Sequence, residues 1–229
     1  MFWSDKKSIK NSKHSVAVIG LSSFGYYLCR YLSDIGADVL AIDIKEDKID
    51  SVKTFVKQAI VADGRNKETL QNLGLNEFDE VIVSVGEEID ASILITLHLR
   101  ELGAKEILAK AITEDHARIL NIIGASEIIF PERDMAKRVA HTLHHPSIID
   151  YFYIGDEYSL VEMAPPKAWI GKSLIELDIR RNHHVQVIMV KEVVPENVTL
   201  IPGGDHVVKD SDILVVIGRE EDMNKIESY

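Results

Sequence analysis

Short apolar runs alternate along the first 130 positions with stretches of helical pattern. Six runs have the length and β-branched character of buried strands: Val16–Ile19, Val39–Ile42, Ala59–Ala62, Val81–Val85, Ile107–Ala109 and Glu127–Phe130. Five helices are predicted between them: Phe24–Ile35, Lys45–Val56, Lys67–Leu73, Ile89–Leu102 and Glu114–Ile123. Apolar strands that alternate with helices are typical of a parallel sheet covered on both faces. The pattern therefore predicts an α/β fold with a Rossmann-like, doubly wound parallel sheet.

The pattern changes after Phe130. A single helix is predicted from Glu132 to His144, entered through Pro131, because proline is favoured at the first position of a helix. Beyond Tyr151 strands dominate, at Tyr158–Met163, Gln186–Lys191 and Ile213–Ile217, with one helix at Leu174–Ile179. We expect a flexible N-terminal tail (1–14), a ligand-binding α/β domain (15–131), a linking helix (132–150) and a small α+β domain (151–229).

Composition narrows the choice of partners and compartment. The net charge of −11 disfavours nucleic acid as a partner, because duplex binding needs clustered Lys and Arg. The basic tail around Lys6 and Lys13 is interpreted as a solvated lead-in. Neither a signal peptide nor an apolar stretch of roughly 18–20 residues is found, and the single Cys29 suits a reducing compartment. We expect a cytoplasmic protein.

The first βαβ unit carries a variant of the dinucleotide-binding fingerprint. The segment VAVIGLSSFG places Gly20 and Gly25 around a tight turn, with Ser22 at the position of the usual middle glycine. About twenty residues later, Asp43 ends the second strand and can accept hydrogen bonds from ribose hydroxyls. Free N–H groups at the following helix start favour a phosphate. The unit predicts an adenosine-containing ligand; the alternative is a glycine turn that serves packing alone.

Ligands of such sheets bind beyond the carboxyl ends of the strands. That rule predicts one crevice surrounded by Gly20, Asp43, Asp63, Ser84 and Lys110.

Other chemistry is weakly supported. His141 and His145 share a face of the linking helix, but no HExxH pattern or cysteine pair accompanies them, so a solvated or interface helix is favoured over zinc binding. Ser22 and Ser23 lie in the phosphate turn and not in a nucleophile elbow. Glu132 lies at the start of the linking helix, and the residues alone favour its interpretation as a helix-start carboxylate stabilised by the dipole.

The order of several motifs resembles that of one family. Eight motifs follow one another as in the TrkA/KtrA type of potassium-uptake regulator, which is built from an RCK domain. They are VIGLSSFG, AIDI, VADG, VSVG, AKA, GASEIIFPERDMAKRVA, GKSLIELDIRR and DSDILVVIG. The resemblance implies a nucleotide-binding N-terminal lobe, a crossover helix that pairs subunits and a C-terminal lobe. It also implies an octameric cytoplasmic ring of homodimers, peripheral on the inner membrane face beneath a K⁺-conducting subunit of the TrkH/KtrB type.

The resemblance also assigns residues. It implies phosphate contacts at Gly20, Ser22, Ser23, Phe24 and Gly25, the ribose at Asp43, the base at Asp63 and a further nucleotide contact at Lys110. Glu132 matches a glutamate that helps hold a cation, Mg²⁺ or Ca²⁺, between two nucleotide-bound subunits. Some members bind cyclic di-AMP in the C-terminal lobe, where the matching residues are Ile175, Asp178, Arg180 and Pro202.

The phosphate turn departs from the family pattern. Members usually show GLGRFG, in which the arginine reaches the terminal phosphate of ATP, whereas this chain has GLSSFG. Binding of ATP, ADP or NAD(H) is expected to survive this change better than discrimination of ATP from ADP. The leading hypothesis is a non-enzymatic subunit that gates K⁺ flux; the alternatives are a small NAD(P)-dependent oxidoreductase and a redox sensor.

Overall fold

The computed structural model describes residues 14–86, 88–155 and 157–226. The chain divides between Pro131 and Glu132 into two compact units. Most of the predicted N-terminal tail, residues 1–13, lies outside the described residues.

The described part of the first unit alternates strands with α-helices. The strands are β1 (Ser15–Ile19), β2 (Asp38–Asp43), β3 (Gln58–Val61), β4 (Glu80–Val83), β5 (Ile107–Lys110) and β6 (Glu127–Ile129). The helices are α1 (Ser23–Asp34), α2 (Glu46–Val52), α3 (Lys67–Asn72), α4 (Ile89–Glu101) and α5 (Glu114–Ile123).

All six strands are parallel, in the order β3-β2-β1-β4-β5-β6. Val16 and Val18 belong to one buried apolar cluster, and Ala17 and Ile19 to another. Because successive side chains of a strand point to opposite faces, both faces of the sheet are covered. The predicted doubly wound α/β fold is confirmed, and its strand order reverses between β1 and β4, where such folds bind ligands.

The second unit is built on an antiparallel sheet. Helix α6 (Pro131–His144) leads into it, and the remaining elements are β7 (Ile148–Ile154), β8 (Tyr158–Met163), α7 (Leu174–Leu177), α8 (Ile179–Asn182), β9 (Gln186–Glu192), β10 (Asn197–Leu200), β11 (Asp212–Arg219) and α9 (Glu220–Ile226). The strand order is β10-β9-β11-β8-β7. Its core gathers around the buried side chains of Tyr151, Trp169 and Leu214. The predicted small α+β lobe is confirmed.

Several boundaries differ from those predicted. The helix predicted at Leu174–Ile179 is two short helices, α7 and α8, because Asp178 between them has a left-handed backbone with φ of 42°. The helix predicted at Lys45–Val56 ends at Val52 as α2. Strands β7 and β10 and helix α9 were not predicted, and the segment 132–150 includes the first residues of β7 after α6.

Candidate functional site

A cleft of about 290 Å³ lies at the carboxyl ends of β1, β2 and β3 in the first unit. Four of the residues predicted from the sequence line it: Gly20, Ser22, Asp43 and Asp63. The cleft therefore forms at the switch point, from the turns that follow successive parallel strands.

The turn after β1 requires glycine at two positions. Gly20 has φ of 92°, and a Cβ there would lie 2.5 Å from the carbonyl oxygen of Ser84. A Cβ at Gly25 would lie 2.2 Å from the carbonyl oxygen of Gly20. Since real Cβ atoms do not approach so closely, both glycines allow α1 and β4 to pack against the turn.

Ser22 is the N-cap of α1. Its Oγ accepts a hydrogen bond from the Gly25 N–H at 3.5 Å and lies 2.8 Å from Ser84 Oγ. Ser23 is the first residue of the helix and is exposed. No acidic residue occupies the first turn of α1, so the positive end of its dipole remains open to an anion.

Asp43, at the end of β2, bridges two turns. Its Oδ2 accepts a hydrogen bond of 2.6 Å from the Leu21 N–H, and its Oδ1 accepts one of 2.9 Å from the Lys45 N–H. A carboxylate offers about four lone-pair sites, so acceptor capacity remains for ribose hydroxyls. The half-buried carboxylate thus links the turn after β1 to the turn after β2 within the cleft.

Asp63, after β3, forms an ion pair with Arg65, a residue that was not predicted from the sequence to belong to the site. Asp63 Oδ1 accepts hydrogen bonds from the backbone N–H and the Nε of Arg65, at 3.0 and 2.9 Å. The Arg65 side chain lowers the pKa of Asp63 below its ordinary value. Arg65, Lys45 and Lys48 also line the cleft. The sequence signal that could have found them was their position just after β2 and β3.

The other predicted residues of the crevice do not line this cleft. Ser84 is fully buried beneath the turn, Phe24 is half-buried and Gly25 is buried in the first turn of α1. Lys110 is buried at the end of β5.

Glu132 is exposed at the start of α6. Within the ranges that the structure describes, no group of three or more His, Cys, Asp or Glu side chains could hold a metal ion. His141, on the same helix, stacks on Tyr151 with ring centroids 4.4 Å apart, and burial lowers its pKa.

A second cleft of about 210 Å³ lies within the second unit. It brings together all four residues that the resemblance assigned to a second ligand: Ile175, Asp178, Arg180 and Pro202. The left-handed Asp178 separates α7 from α8 and so positions residues from both helices around the same space.

No helix in the described part of the chain combines the length and the apolar character needed to cross a membrane.

Comparison with known proteins assigns the family. The TrkA-N domain matches residues 16–131 and the TrkA-C domain matches residues 159–229. Ktr system potassium uptake protein C of Bacillus subtilis is 41% identical over 215 residues, which are 94% of this chain and 96% of the relative. Ktr system potassium uptake protein A of the same organism is 34% identical over 220 residues, covering 96% and 97% of the two chains.

A solved structure shares the fold. The GsuK channel bound to NAD superposes with a TM-score of 0.54 at 17% identity, covering 97% of this chain and 39% of the channel chain. The two domain matches and the Ktr relatives identify the chain as a member of the TrkA/KtrA family of potassium-uptake regulatory subunits, which are RCK-domain proteins.

Proposed function

We propose that the chain is a non-enzymatic subunit that binds an adenine nucleotide or NAD(H) and thereby controls K⁺ flux through a separate membrane subunit of the TrkH/KtrB type. The observation that carries this proposal is the convergence of the Gly20 turn, the acid-free start of α1 and the Asp43 carboxylate on one cleft. Ligand binding changes flux if the ligand has different affinities for two conformations of the assembly.

Each end of the ligand has a candidate partner. The turn at Gly20, Ser22, Ser23, Phe24 and Gly25 receives the phosphates, with Ser84 beneath it. Asp43 accepts hydrogen bonds from the ribose hydroxyls, and Asp63 accepts a hydrogen bond from the amino group of the base. Lys110, which does not line the cleft, acts only if the ligand or the side chain extends beyond it.

The proposed assembly is a homodimer joined through α6, with four dimers forming an octameric ring. Met135, Val139 and Leu143 recur at every fourth position of α6 and are 53%, 45% and 79% exposed. Such a stripe can pair with its own symmetry copy. The ring would be cytoplasmic and peripheral, beneath its membrane partner.

Two further ligands belong to the proposal. Glu132 contributes one carboxylate to a Mg²⁺ or Ca²⁺ ion between two nucleotide-bound subunits, where oxygen ligands suit such ions. The second cleft receives cyclic di-AMP: Arg180 supplies a cation for a phosphate, while Ile175 and Pro202 offer apolar surface to a base.

The ligand is tested by calorimetric titration of the full chain with ADP, ATP and NADH. Asp43→Asn should weaken binding about tenfold or more, since hydrogen bonds to charged groups contribute roughly 1.5–3 kcal/mol. Asp47→Asn, an exposed acid in the first turn of α2, is the matched control and should bind as the wild type does. Equal affinities in all three proteins would contradict the assignment of this cleft.

The transport role needs a separate experiment. Affinity purification of the full chain from native membranes should bring along a polytopic K⁺-transporter subunit. A purification without one, together with NADH consumption by the purified protein, would instead support the oxidoreductase alternative.

A further inference from the structure

The hydroxyl groups of Ser22 and Ser84 form a pair beneath the turn after β1. Their Oγ atoms are 2.8 Å apart, although the residues are 62 positions apart in sequence. Ser22 lines the cleft, while Ser84 is fully buried at the end of β4. Ser84 is fixed there, because its backbone N–H donates to the Ile19 carbonyl at 2.7 Å and its own carbonyl packs against Gly20.

The surroundings of the two hydroxyls determine which one donates. Among the residues that the structure describes, Ser84 Oγ has no hydrogen-bond partner other than Ser22 Oγ. If Ser22 donated, the proton of Ser84 would be buried without an acceptor, which is unfavourable. If Ser84 donates, its proton is satisfied and the buried hydroxyl keeps a partner.

This direction of donation leaves one proton facing the cleft. A hydroxyl carries one donor and two acceptor lone pairs. Ser22 Oγ then accepts from the Ser84 hydroxyl and from the Gly25 N–H, so both of its acceptor sites are used. Its own proton is free to donate to an acceptor in the cleft, and donation into Ser22 polarises that hydroxyl further.

We propose that Ser22 is a direct donor to the diphosphate of the bound nucleotide and that the buried Ser84 is the positioning residue that orients it. The inference rests on the proposed nucleotide binding and deepens it. A serine replaces the middle glycine of the fingerprint here, so the diphosphate cannot approach the backbone as closely as a glycine would allow. The donation from Ser84 through Ser22, called the relay below, compensates by supplying a hydroxyl donor. The relay acts on phosphate oxygens only, so it has no effect on the ribose or the base.

The test measures ADP binding by calorimetry and adenosine binding by competition against ADP. The proteins compared are the full-length wild type, Ser22→Ala, Ser84→Ala and the double variant. Each single substitution should raise the Kd for ADP about three- to tenfold, the range expected for one hydrogen bond. The Kd for adenosine, which lacks phosphates, should change less than about twofold on the same scale. In the Ser22→Ala background, Ser84→Ala should have no further effect on ADP.

Ser33→Ala is the matched control. It removes from the same helix, α1, a buried hydroxyl that has no hydrogen-bond partner among the described residues, and it should leave both affinities unchanged. If Ser84→Ala does not fold, Ser84→Cys fills the site with a somewhat larger side chain and a weaker donor, and should show the same selective loss.

The outcomes separate the two hypotheses. Equal losses of ADP and adenosine affinity in Ser84→Ala would show a purely structural role and overturn the relay. So would additive effects of the two substitutions. A wild-type protein that binds neither ADP, ATP nor NADH would overturn the proposed function itself, and the relay with it.

Discussion

Arg65 and Asp63 form a bidentate ion pair at the rim of the cleft, with Nε–Oδ1 and Nη2–Oδ2 distances of 2.9 Å each. The pair lowers the pKa of Asp63, which favours the ionised carboxylate, a group that carries only hydrogen-bond acceptors. Arg65→Gln should therefore raise the pKa of Asp63 towards its usual value of about 3.9.

Carboxyl NMR titration of wild type and Arg65→Gln measures this shift directly. Because the folded-state pKa is lowered, Asp63 contributes stability above its unfolded pKa, and this contribution is lost as the pH falls through the folded value. Arg65→Gln should therefore reduce the loss of folding stability that accompanies acidification. Lys67→Gln, which removes the partner of Glu101, is the control and should leave the titration of Asp63 unchanged.

The turn after β1 should not tolerate a side chain at Gly20. Gly20→Ala combines a left-handed backbone with a contact of 2.5 Å to the Ser84 carbonyl, and should destabilise the protein by about 2–5 kcal/mol. Gly36 has a similar φ of 90°, but no described atom lies within 4 Å of the place that a Cβ would take, so Gly36→Ala should cost only about 1–2 kcal/mol. Denaturant unfolding measures the stability of both variants, and equal losses of stability would contradict the steric explanation.

The parallel sheet was predictable because its central strand β1 carries an unbroken apolar run. Val16, Ala17, Val18 and Ile19 are all buried, and only a sheet covered on both faces buries such a run. Strand β7 was missed because IIDYFYI has only partial burial and follows a helix, a histidine pair and a proline closely.

Backbone conformation in turns and long-range pairing account for the rest. Only a weak local signal marks Asp178 as left-handed: aspartate adopts this region more often than most non-glycine residues, but it is not glycine. The Ser22–Ser84 pair joins residues that only the β1–β4 register brings together. Asp63 was recognised as a site residue, but its bond to Arg65 depends on how the turn after β3 folds.

The exposed Ser23 should leave the terminal phosphate of ATP without the cation that an arginine at this position would supply. Wild type should bind ATP and ADP with comparable affinities, because the ribose and the first phosphates are common to both. Ser23→Arg should gain affinity for ATP about tenfold or more over ADP, since hydrogen bonds between charged groups contribute roughly 1.5–3 kcal/mol. Calorimetric titrations decide this, and a hundredfold preference of the wild type for ATP would refute it.

Glu132 should matter only for divalent cations. Glu132→Gln should abolish the rise in Tm that Mg²⁺ or Ca²⁺ adds to the nucleotide complex, because a neutral amide is a poorer ligand than a carboxylate for these ions. Asp134→Asn, also exposed in the first turn of α6, should retain that rise. Identical cation dependence in all three proteins would return Glu132 to a helix-start carboxylate favoured by the dipole.

The stripe on α6 should hold the dimer together. Val139→Glu places two like charges opposite each other across a two-fold axis, which should dissociate the assembly at micromolar concentration. His144 is exposed and lies away from the stripe, so His144→Glu should leave the molar mass of the assembly unchanged. Light scattering measures both, and a monomeric wild type would contradict the proposed pairing.

The two hydrogen bonds of Asp43 give the cleft a mechanical property. One carboxylate fastens the backbone of Leu21 and the backbone of Lys45, so neither turn can shift without straining the other through the same side chain. A ribose hydroxyl bound to Asp43, as proposed above, would contact the side chain that joins the segment leading into α1 to the segment leading into α2. In the proposed nucleotide complex, ribose binding at Asp43 would therefore be coupled to the phosphate turn through a single side chain.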